Sequence, residues 1–336
     1  MEMDLEGQDS DMQSWEMNKG TILVSGASGI VGYGILKSLK SSGYTLVGTT
    51  IYGISPANCF ADIVEIAPKT EDKEYMTWLI ETIEKYDVKM IIPGIEADMS
   101  CWNSNRGVLE KTGTYVLLNN SRLIDLCLDK WRFYEVLNAC VPSYAIDSSI
   151  EVDFERFNLP FLLKPRCGYG SKGIIKVESQ ETYNKHVNEI GTTLMAQRLI
   201  GTDDEEYTIS GFFDIQSNLK AYVSMKRKLS KQGFTESAEI VYIAEMEDVL
   251  RELAEIFKPV GPTNFQFRKQ DKQWKLMEIN PRVSSSTSIR TSFGYNECQM
   301  CIDYFLKGIE IFQPKIKTGK AIRYIEDYIV YDSVYI

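Results

Sequence analysis

Apolar and polar positions change period several times along this chain, and the changes mark out its elements. Thr21-Ile-Leu-Val-Ser25 is a short apolar run bounded by turn residues, the pattern of a buried strand. Gly26-Ala-Ser-Gly29-Ile-Val-Gly32 then turns into a helix expected to reach about residue 42. Residues 44–50 read as a second strand, 71–86 as an amphipathic helix and 88–92 as a third strand. This β-α-β-α-β order predicts a doubly wound lobe with a parallel sheet, an α/β arrangement. From residue 121 the pattern is helical through 140. Strands are expected at 160–165, 174–177 and 194–200, with a helix to about 189 between the last two. Residues 207–213 and 219–225 pair as a hairpin, 249–257 form a helix, a second hairpin follows, and 296–305 close the pattern as a helix. This second half is α+β. No internal repeat is present, so the chain carries a single copy of whatever module it forms.

The second hairpin carries the most chemistry. Asn264-Phe265-Gln266-Phe267 is followed, after a charged turn, by Leu276-Met277-Glu278-Ile279-Asn280-Pro281-Arg282. Alternation puts Gln266, Glu278 and Asn280 on one sheet face. Three hard oxygen donors there suit Mg²⁺ (or Mn²⁺) and leave room for substrate phosphates. The competing reading is a half-buried hairpin whose polar face is only solvated.

Upstream, an apolar strand ends in Lys164-Pro165, and Cys167-Gly168-Tyr169-Gly170-Ser171-Lys172-Gly173 leads into the return strand. Glycines let backbone N–H groups approach phosphate oxygens without side-chain clash. The loop is not a Walker A motif, because its lysine is not followed by Ser or Thr at a helix start. Lys164 lies in an apolar strand, where an ammonium is costly unless an anion meets it.

Two features of the first lobe are open to two readings. The G-x-x-G-x-x-G turn could hold dinucleotide phosphates or serve only tight strand–helix packing. The second strand ends Gly48-Thr49-Thr50-Ile51-Tyr52 without the acid an NAD ribose needs, which favours packing or a substrate anion. The third strand runs into Pro93-Gly94-Ile95-Glu96-Ala97-Asp98. Glu96 and Asp98 stand where open sheets bind ligands and are candidate contacts to a substrate amine. Alternatively they favour a helix dipole.

Composition narrows the field. With 336 residues, 44% hydrophobic and 25% charged, the chain has the makings of a multi-lobed globular protein. Its net charge of −10 argues against a nucleic-acid surface. No apolar run reaches the length of a membrane span, and the acidic start lacks the features of a signal peptide, so a cytoplasmic location is expected. Seven cysteines, an odd number, are expected as reduced thiols. Cys298-Gln-Met-Cys301 has CxxC spacing inside an apolar helical stretch and reads as helix core. The one histidine, His186, lies in a polar segment. A catalytic triad, a His-rich zinc site or a Cys–His dyad would each have to run through it. The chemistry therefore falls to phosphate activation, metal, lysine and arginine.

Taken together, Lys130, Lys164, the glycine loop, the segment at 197–200 and the Glu-x-Asn-Pro-Arg ending resemble the ATP-grasp ligases. The likeness is to a single module of the carbamoyl phosphate synthetase large subunit, and it spans roughly residues 121–305. It implies an ATP-grasp fold behind the parallel lobe: a disordered tail at 1–19, a Rossmann-like domain at 20–120, a central lobe with a glycine-rich lid at 121–200, a metal-bearing lobe at 201–312 and an extension at 313–336. The resemblance implies that Lys130 and Lys164 bind ATP phosphates and that Gly168, Gly170, Ser171, Lys172 and Gly173 form the lid, with Lys172 also at the reacting phosphate. Gln197, Arg198, Leu199 and Ile200 would hold the adenine edge, Gln197 standing where a Glu is common. Glu206 would bind the ribose, with Glu205 as competitor if the register slips. Gln266, Glu278 and Asn280 would hold Mg²⁺, and Arg282 would stabilise an acyl-phosphate. Ser285 stands where carbamoyl phosphate synthetase relatives carry a second arginine, which speaks against bicarbonate as substrate. Ser284 and Ser285 are donors for a polar acid, and Arg290 could pair with its carboxylate. In the neighbouring Lys226-Arg227-Lys228 cluster, some members would reach phosphate or substrate and others be exposed. The implied activity is an ATP-dependent carboxylate–amine ligase acting on small-molecule acids and amines, with a homodimer common among relatives. The alternatives are a carboxylate or carbamate kinase, a silent nucleotide-binding regulator and a nicotinamide-dependent enzyme.

Overall fold

The computed structural model describes residues 19–168, 172–202, 205–230 and 233–331. The expected tail, apart from Lys19, and Gly170 and Ser171 of the glycine loop lie outside the described residues. The first lobe is a five-stranded parallel sheet built from β1 (Thr21–Val24), β2 (Thr45–Thr50), β3 (Ile63–Ile66), β4 (Val88–Ile92) and β5 (Tyr115–Val116), in the order β3-β2-β1-β4-β5. Its helices are α1 (Ile30–Leu39), α2 (Tyr75–Lys85), α3 (Glu96–Ser104) and α4 (Arg106–Glu110). The sequence pattern omits β3, an edge strand of four residues, too short to show a period. The strand order reverses between β1 and β4, so the crevice outside their C-terminal ends opens where Glu96 begins α3.

The glycine turn after β1 is explained by packing. Gly26 has φ of +57°, and a Cβ on Gly32 would lie 2.4 Å from the Gly26 carbonyl oxygen. Only glycine lets α1 start this close to the turn.

Residues 121–140 are not one helix. They split into α5 (Ser121–Cys127) and α6 (Lys130–Cys140). The break comes from Asp129, whose carboxylate accepts from the backbone N–H of Trp131 and Arg132 and caps α6. Asp129 also pairs with Arg166 at 2.6 Å, tying the start of α6 to the strand that carries Lys164.

A four-stranded sheet follows, ordered β6-β9-β7-β8, from β6 (Ser148–Ser149), β7 (Phe161–Pro165), β8 (Ile175–Val177) and β9 (Leu194–Arg198), with α7 (Gln180–Asn184) beside it. The glycine loop joins β7 to β8. The last sheet has six antiparallel strands, ordered β14-β13-β10-β11-β12-β15. They are β10 (Glu206–Phe213), β11 (Leu219–Leu229), β12 (Thr235–Ile240), β13 (Gly261–Gln270), β14 (Gln273–Asn280) and β15 (Lys320–Ile322). β11 runs four residues past its expected end, and β12 and β15 are not evident from periodicity. α8 (Met246–Phe257) and α6 pack on one face of this sheet. α9 (Thr287–Ser292) and α10 (Glu297–Cys301) stand between the sheet and α1. α9 lies where the sequence pattern marks no element. Val283, Tyr295, Cys298 and Cys301 continue the core of the first lobe into that of the six-stranded sheet.

Among the described residues, no helix is long and apolar enough to cross a membrane. Cys298 and Cys301 are buried in the core, and burial pushes the Cys298 thiol up to about 12, as suits inert packing groups.

Candidate active site

A cleft of about 440 Å³ lies where the three sheets meet. Its wall takes Ile30 and Glu96 from the parallel lobe, Lys130 from α6, Lys164 and Gln197 from the four-stranded sheet, and Glu206, Gln266, Glu278, Asn280 and Arg282 from the six-stranded sheet and its exit. Residues from Ile30 to Arg282 thus converge, Ile30, Glu96 and Lys130 from the starts of helices and the others from strands or the turns that follow them.

The hairpin register decides the polar face. Gln266 is directly opposite Glu278, and Asn264 opposite Asn280. Glu278 Oε1 accepts from Asn280 Nδ2 at 3.0 Å, and Gln266 Oε1 accepts from Arg227 Nη2 at 2.7 Å. Asn280 Oδ1 accepts from Arg282 Nη2 at 3.2 Å. The donor set offers one carboxylate and two amide oxygens. Among the described residues, no three His, Cys, Asp or Glu side chains gather as a metal cage. A single carboxylate with neutral oxygens fits a Mg²⁺ ion that is shared with phosphates rather than caged by protein alone.

Lys164 and Lys130 supply positive charge to the same cleft. Lys164 Nζ donates to Gln197 Oε1 at 2.6 Å, and Gln197 Nε2 donates to Ser148 Oγ at 3.0 Å. Lys164 as a whole is partly covered, but its ammonium end is crowded by protein atoms. Loss of hydration there pulls its pKa down to about 8, with Arg268 and Lys130 adding to the fall and Glu278 and Glu206 opposing it. Lys130 Nζ donates to the Gly168 carbonyl at 2.6 Å, so it anchors the near end of the glycine loop. Lys172, at the far end, lines the cleft as well. Gly168 and Gly173 both have positive φ, which gives those positions their glycines. Arg198, Leu199 and Ile200 follow Gln197 along the wall.

Two stretches of the chain match known family models. A family model described as an ATP-grasp in the biosynthetic pathway with Ter operon matches residues 192–328, and a PylC-like N-terminal domain model matches residues 23–117. The chain resembles the ATP-grasp ligases. The carbamoyl phosphate synthase large chain of Methanothrix thermoacetophila is 25% identical over 285 residues, covering 75% of this chain. The chain spans only 25% of the length of that relative. Among solved structures, N5-carboxyaminoimidazole synthetase from Staphylococcus aureus, complexed with ADP, superposes with a TM-score of 0.73 at 16% identity, covering 92% of this chain and 83% of that one. An L-amino acid ligase from Bacillus licheniformis gives a TM-score of 0.64 at 16% identity, covering 86% and 75%. At these identities the structures establish a shared ATP-grasp fold.

Within that fold, several side chains differ from what the sequence pattern suggested. Glu206 is buried in the cleft wall while Glu205 is exposed and off it. Both Glu206 oxygens are already engaged, by Arg227 at 2.7 Å and Arg268 at 3.1 Å. The pairing follows from sheet register, since Glu206 lies directly opposite Arg227 on β11 and Arg268 on β13. In the Lys226-Arg227-Lys228 cluster only Arg227 is buried, as alternation along β11 requires. Arg268 escaped the sequence reading, although it shares the face of Gln266 two positions away.

Asp98 is not a substrate contact. Both it and Glu96 fall in the first turn of α3, but they leave the helix on different sides. Glu96 faces the cleft and pairs with Arg282. Asp98 is buried beneath the lobe, accepting from Thr70 Oγ1 at 2.6 Å and Tyr75 Oη at 2.7 Å. Asp98→Ala is expected to lower stability by about 2 kcal/mol by stranding those donors, with substrate KM unchanged. Denaturant unfolding beside kinetics checks this, and a large KM change would return Asp98 to the site.

Arg290 is likewise not catalytic. It is 0% exposed and pairs with Glu297 at 2.6 Å, while also donating to Ser284 Oγ at 2.7 Å and Asn264 Oδ1 at 3.3 Å. α9 turns it into the core, where it braces the Ser284–Ser285 loop from behind. Those two serines do line the cleft. His186 is half-buried beside Glu189, away from the cleft wall. His186→Ala is expected to leave turnover within about twofold, measured by steady-state kinetics, since surface substitutions away from such features change little.

Proposed function

We propose that this ATP-grasp chain is an ATP- and Mg²⁺-dependent carboxylate–amine ligase. It joins a small acid to a small amine through an acyl-phosphate and releases ADP and phosphate. The observation that carries this reading is the convergence of Lys130, Lys164, the Gln266–Glu278–Asn280 face and Arg282 on one cleft. The ATP phosphates lie against Lys130, Lys164 and the glycine loop, with the adenine edge along 197–200. Glu206, with Arg227 and Arg268, forms the adjacent wall where the ribose is placed. Mg²⁺ held by Glu278, Asn280 and Gln266 would neutralise charge on the phosphates during transfer.

Arg282 is placed for the second half of the reaction. It reaches Asn280 and Glu96, so its guanidinium sits between the metal face and the crevice of the parallel lobe. There it stabilises negative charge on the acyl-phosphate and on the tetrahedral intermediate formed when the amine attacks. Glu96 holds Arg282 in that position and offers the incoming amine a carboxylate on the same wall. The glycine loop, anchored through Lys130, excludes water from an intermediate that water would destroy. All seven cysteines are free thiols, which supports placing the reaction in the cytoplasm.

The test is an ATP hydrolysis screen with Mg²⁺ over acids and amines, singly and in pairs. Phosphate release that needs both partners, with the coupled mass in the product, is the expected result. Release with an acid alone and a stable phosphorylated product would replace the ligase by a kinase. Stabilisation by NAD and not by Mg-ATP would overturn both.

A further inference from the structure

The Glu96–Arg282 pair joins two lobes across the cleft. Glu96 opens α3 of the parallel lobe, whereas Arg282 follows β14 of the six-stranded sheet. Both side chains line the cleft, and they keep 24% and 12% of their exposure. Both terminal nitrogens of Arg282 have acceptors. Nη1 donates to the Val283 carbonyl at 3.0 Å, and Nη2 donates to Asn280 Oδ1 at 3.2 Å and to Glu96. The first acceptor is backbone and the second belongs to the metal face. Glu96 is the only one of the three that carries charge. Among the described residues its side chain has no other hydrogen-bond partner. An anion that reaches this guanidinium is repelled by the carboxylate already there, so Glu96 is the acceptor it displaces.

The ammonium of an incoming amine has little choice of partner. Among the described residues the cleft wall holds three carboxylates, Glu96, Glu206 and Glu278. Glu206 is spent on Arg227 and Arg268, and Glu278 supplies the charge of the metal face. That leaves Glu96, which is itself engaged as long as it pairs with Arg282. Released from the pair, Glu96 keeps a favourable setting for its charge, because it lies in the first turn of α3, at the positive end of the helix dipole.

We propose that Arg282 changes partner within each turnover. The acyl-phosphate displaces Glu96 from the guanidinium, and the released carboxylate becomes the site for the substrate ammonium. The amine site is thus completed by the first half of the reaction, and the acid is activated before the amine binds. This rests on the ligase reading and adds to it an order of events.

The test uses wild type, Glu96→Gln, Arg282→Met and the double variant, each saturated with Mg-ADP. Inorganic phosphate, a product of the proposed reaction, is titrated by calorimetry. Glu96→Gln is expected to bind it about fivefold or more tighter than wild type, because the competing carboxylate is gone. The Val283 carbonyl and Asn280 still hold the guanidinium in place. The gain should vanish in the Arg282→Met background, which a general change in stability or net charge would not bring about. A second arm titrates amino acid amides, ammonium probes with a blocked carboxyl, with and without saturating phosphate. At least one should bind wild type more tightly when phosphate is present, and should tighten phosphate binding by the same factor. In Glu96→Gln this coupling should be absent. Phosphate affinity unchanged or weaker in Glu96→Gln, a gain that survives in the double variant, or no amide whose binding responds to phosphate, each overturns the exchange. Thermal stabilisation by Mg-ADP reads the ligase framework separately. A wild type that Mg-ADP does not stabilise undermines that framework, whereas stabilisation of all four proteins without coupling leaves it standing and removes the exchange alone.

Discussion

Replacing Glu278 by alanine is expected to cut ATP-dependent turnover by about a hundredfold or more while leaving the fold in place. Glu278 is the one carboxylate of the polar hairpin face, and Gln266 and Asn280 contribute only neutral oxygens. Without it the face has no formal negative charge to hold a divalent cation against water. The fold should tolerate the change because Glu278 is only partly buried, makes a single side-chain bond to Asn280 and lies on a strand held by the full β13–β14 ladder. Loss of its charge also withdraws a favourable influence on Lys164, so nucleotide binding should weaken together with turnover. The check is kcat and Mg²⁺ dependence, beside a circular dichroism melt. Near-normal turnover at ordinary Mg²⁺ would remove Glu278 from the metal face. The conservative Glu278→Asp keeps the charge but shortens the reach, and should recover part of the activity at raised Mg²⁺.

Much of this site was legible because it lies on strands. Period-two alternation needs only local sequence, so Gln266, Glu278 and Asn280 could be assigned to one face before any contact was known. The same rule would have found Arg268, which lies two positions from Gln266, and would have separated Arg227 from its two lysine neighbours. Helical positions were less legible. Glu96 and Asp98 sit two apart in the first turn of α3, and local sequence does not say which one meets the cleft and which meets Tyr75. Arg290 reads from local sequence as a partner for a substrate carboxylate, because the serine-rich run before it has poor helix propensity and suggests an open stretch. Tertiary packing of Thr287 and Ile289 nevertheless makes α9, and carries Arg290 into the core beside Glu297. Ser121 to Cys140 has a continuous helical pattern, and only the capping role of Asp129 breaks it. The β3 and β15 strands have four and three residues, so their existence depends on partners far away in sequence.

The second large effect concerns Lys164 and the residue that holds it. Affinity for Mg-ATP is expected to fall as pH rises through about 8, because Lys164 loses its proton there. The cause lies in its partner. Gln197 accepts from Nζ but carries no charge, so nothing at 2.6 Å offsets the desolvation of the ammonium. Gln197→Glu would place a carboxylate at that contact and raise the lysine pKa, leaving nucleotide affinity flat beyond pH 9. Lys164→Met should remove the pH dependence in the other direction, with affinity low at every pH by about tenfold or more. Stability should move oppositely to binding. A lysine whose pKa is depressed on folding is protonated in the unfolded chain between pH 8 and its ordinary value while neutral in the native state. The unfolded state then binds more protons, so the ligand-free fold gains stability across that window as pH rises. Gln197→Glu should erase this gain too. Calorimetric Mg-ATP titrations at pH 7, 8 and 9, beside ligand-free melts in the same buffers, read both slopes for wild type and variants. Parallel slopes in wild type and Gln197→Glu would mean that another group titrates. Opposite slopes for binding and stability that vanish together in Gln197→Glu would assign both to the Lys164 ammonium.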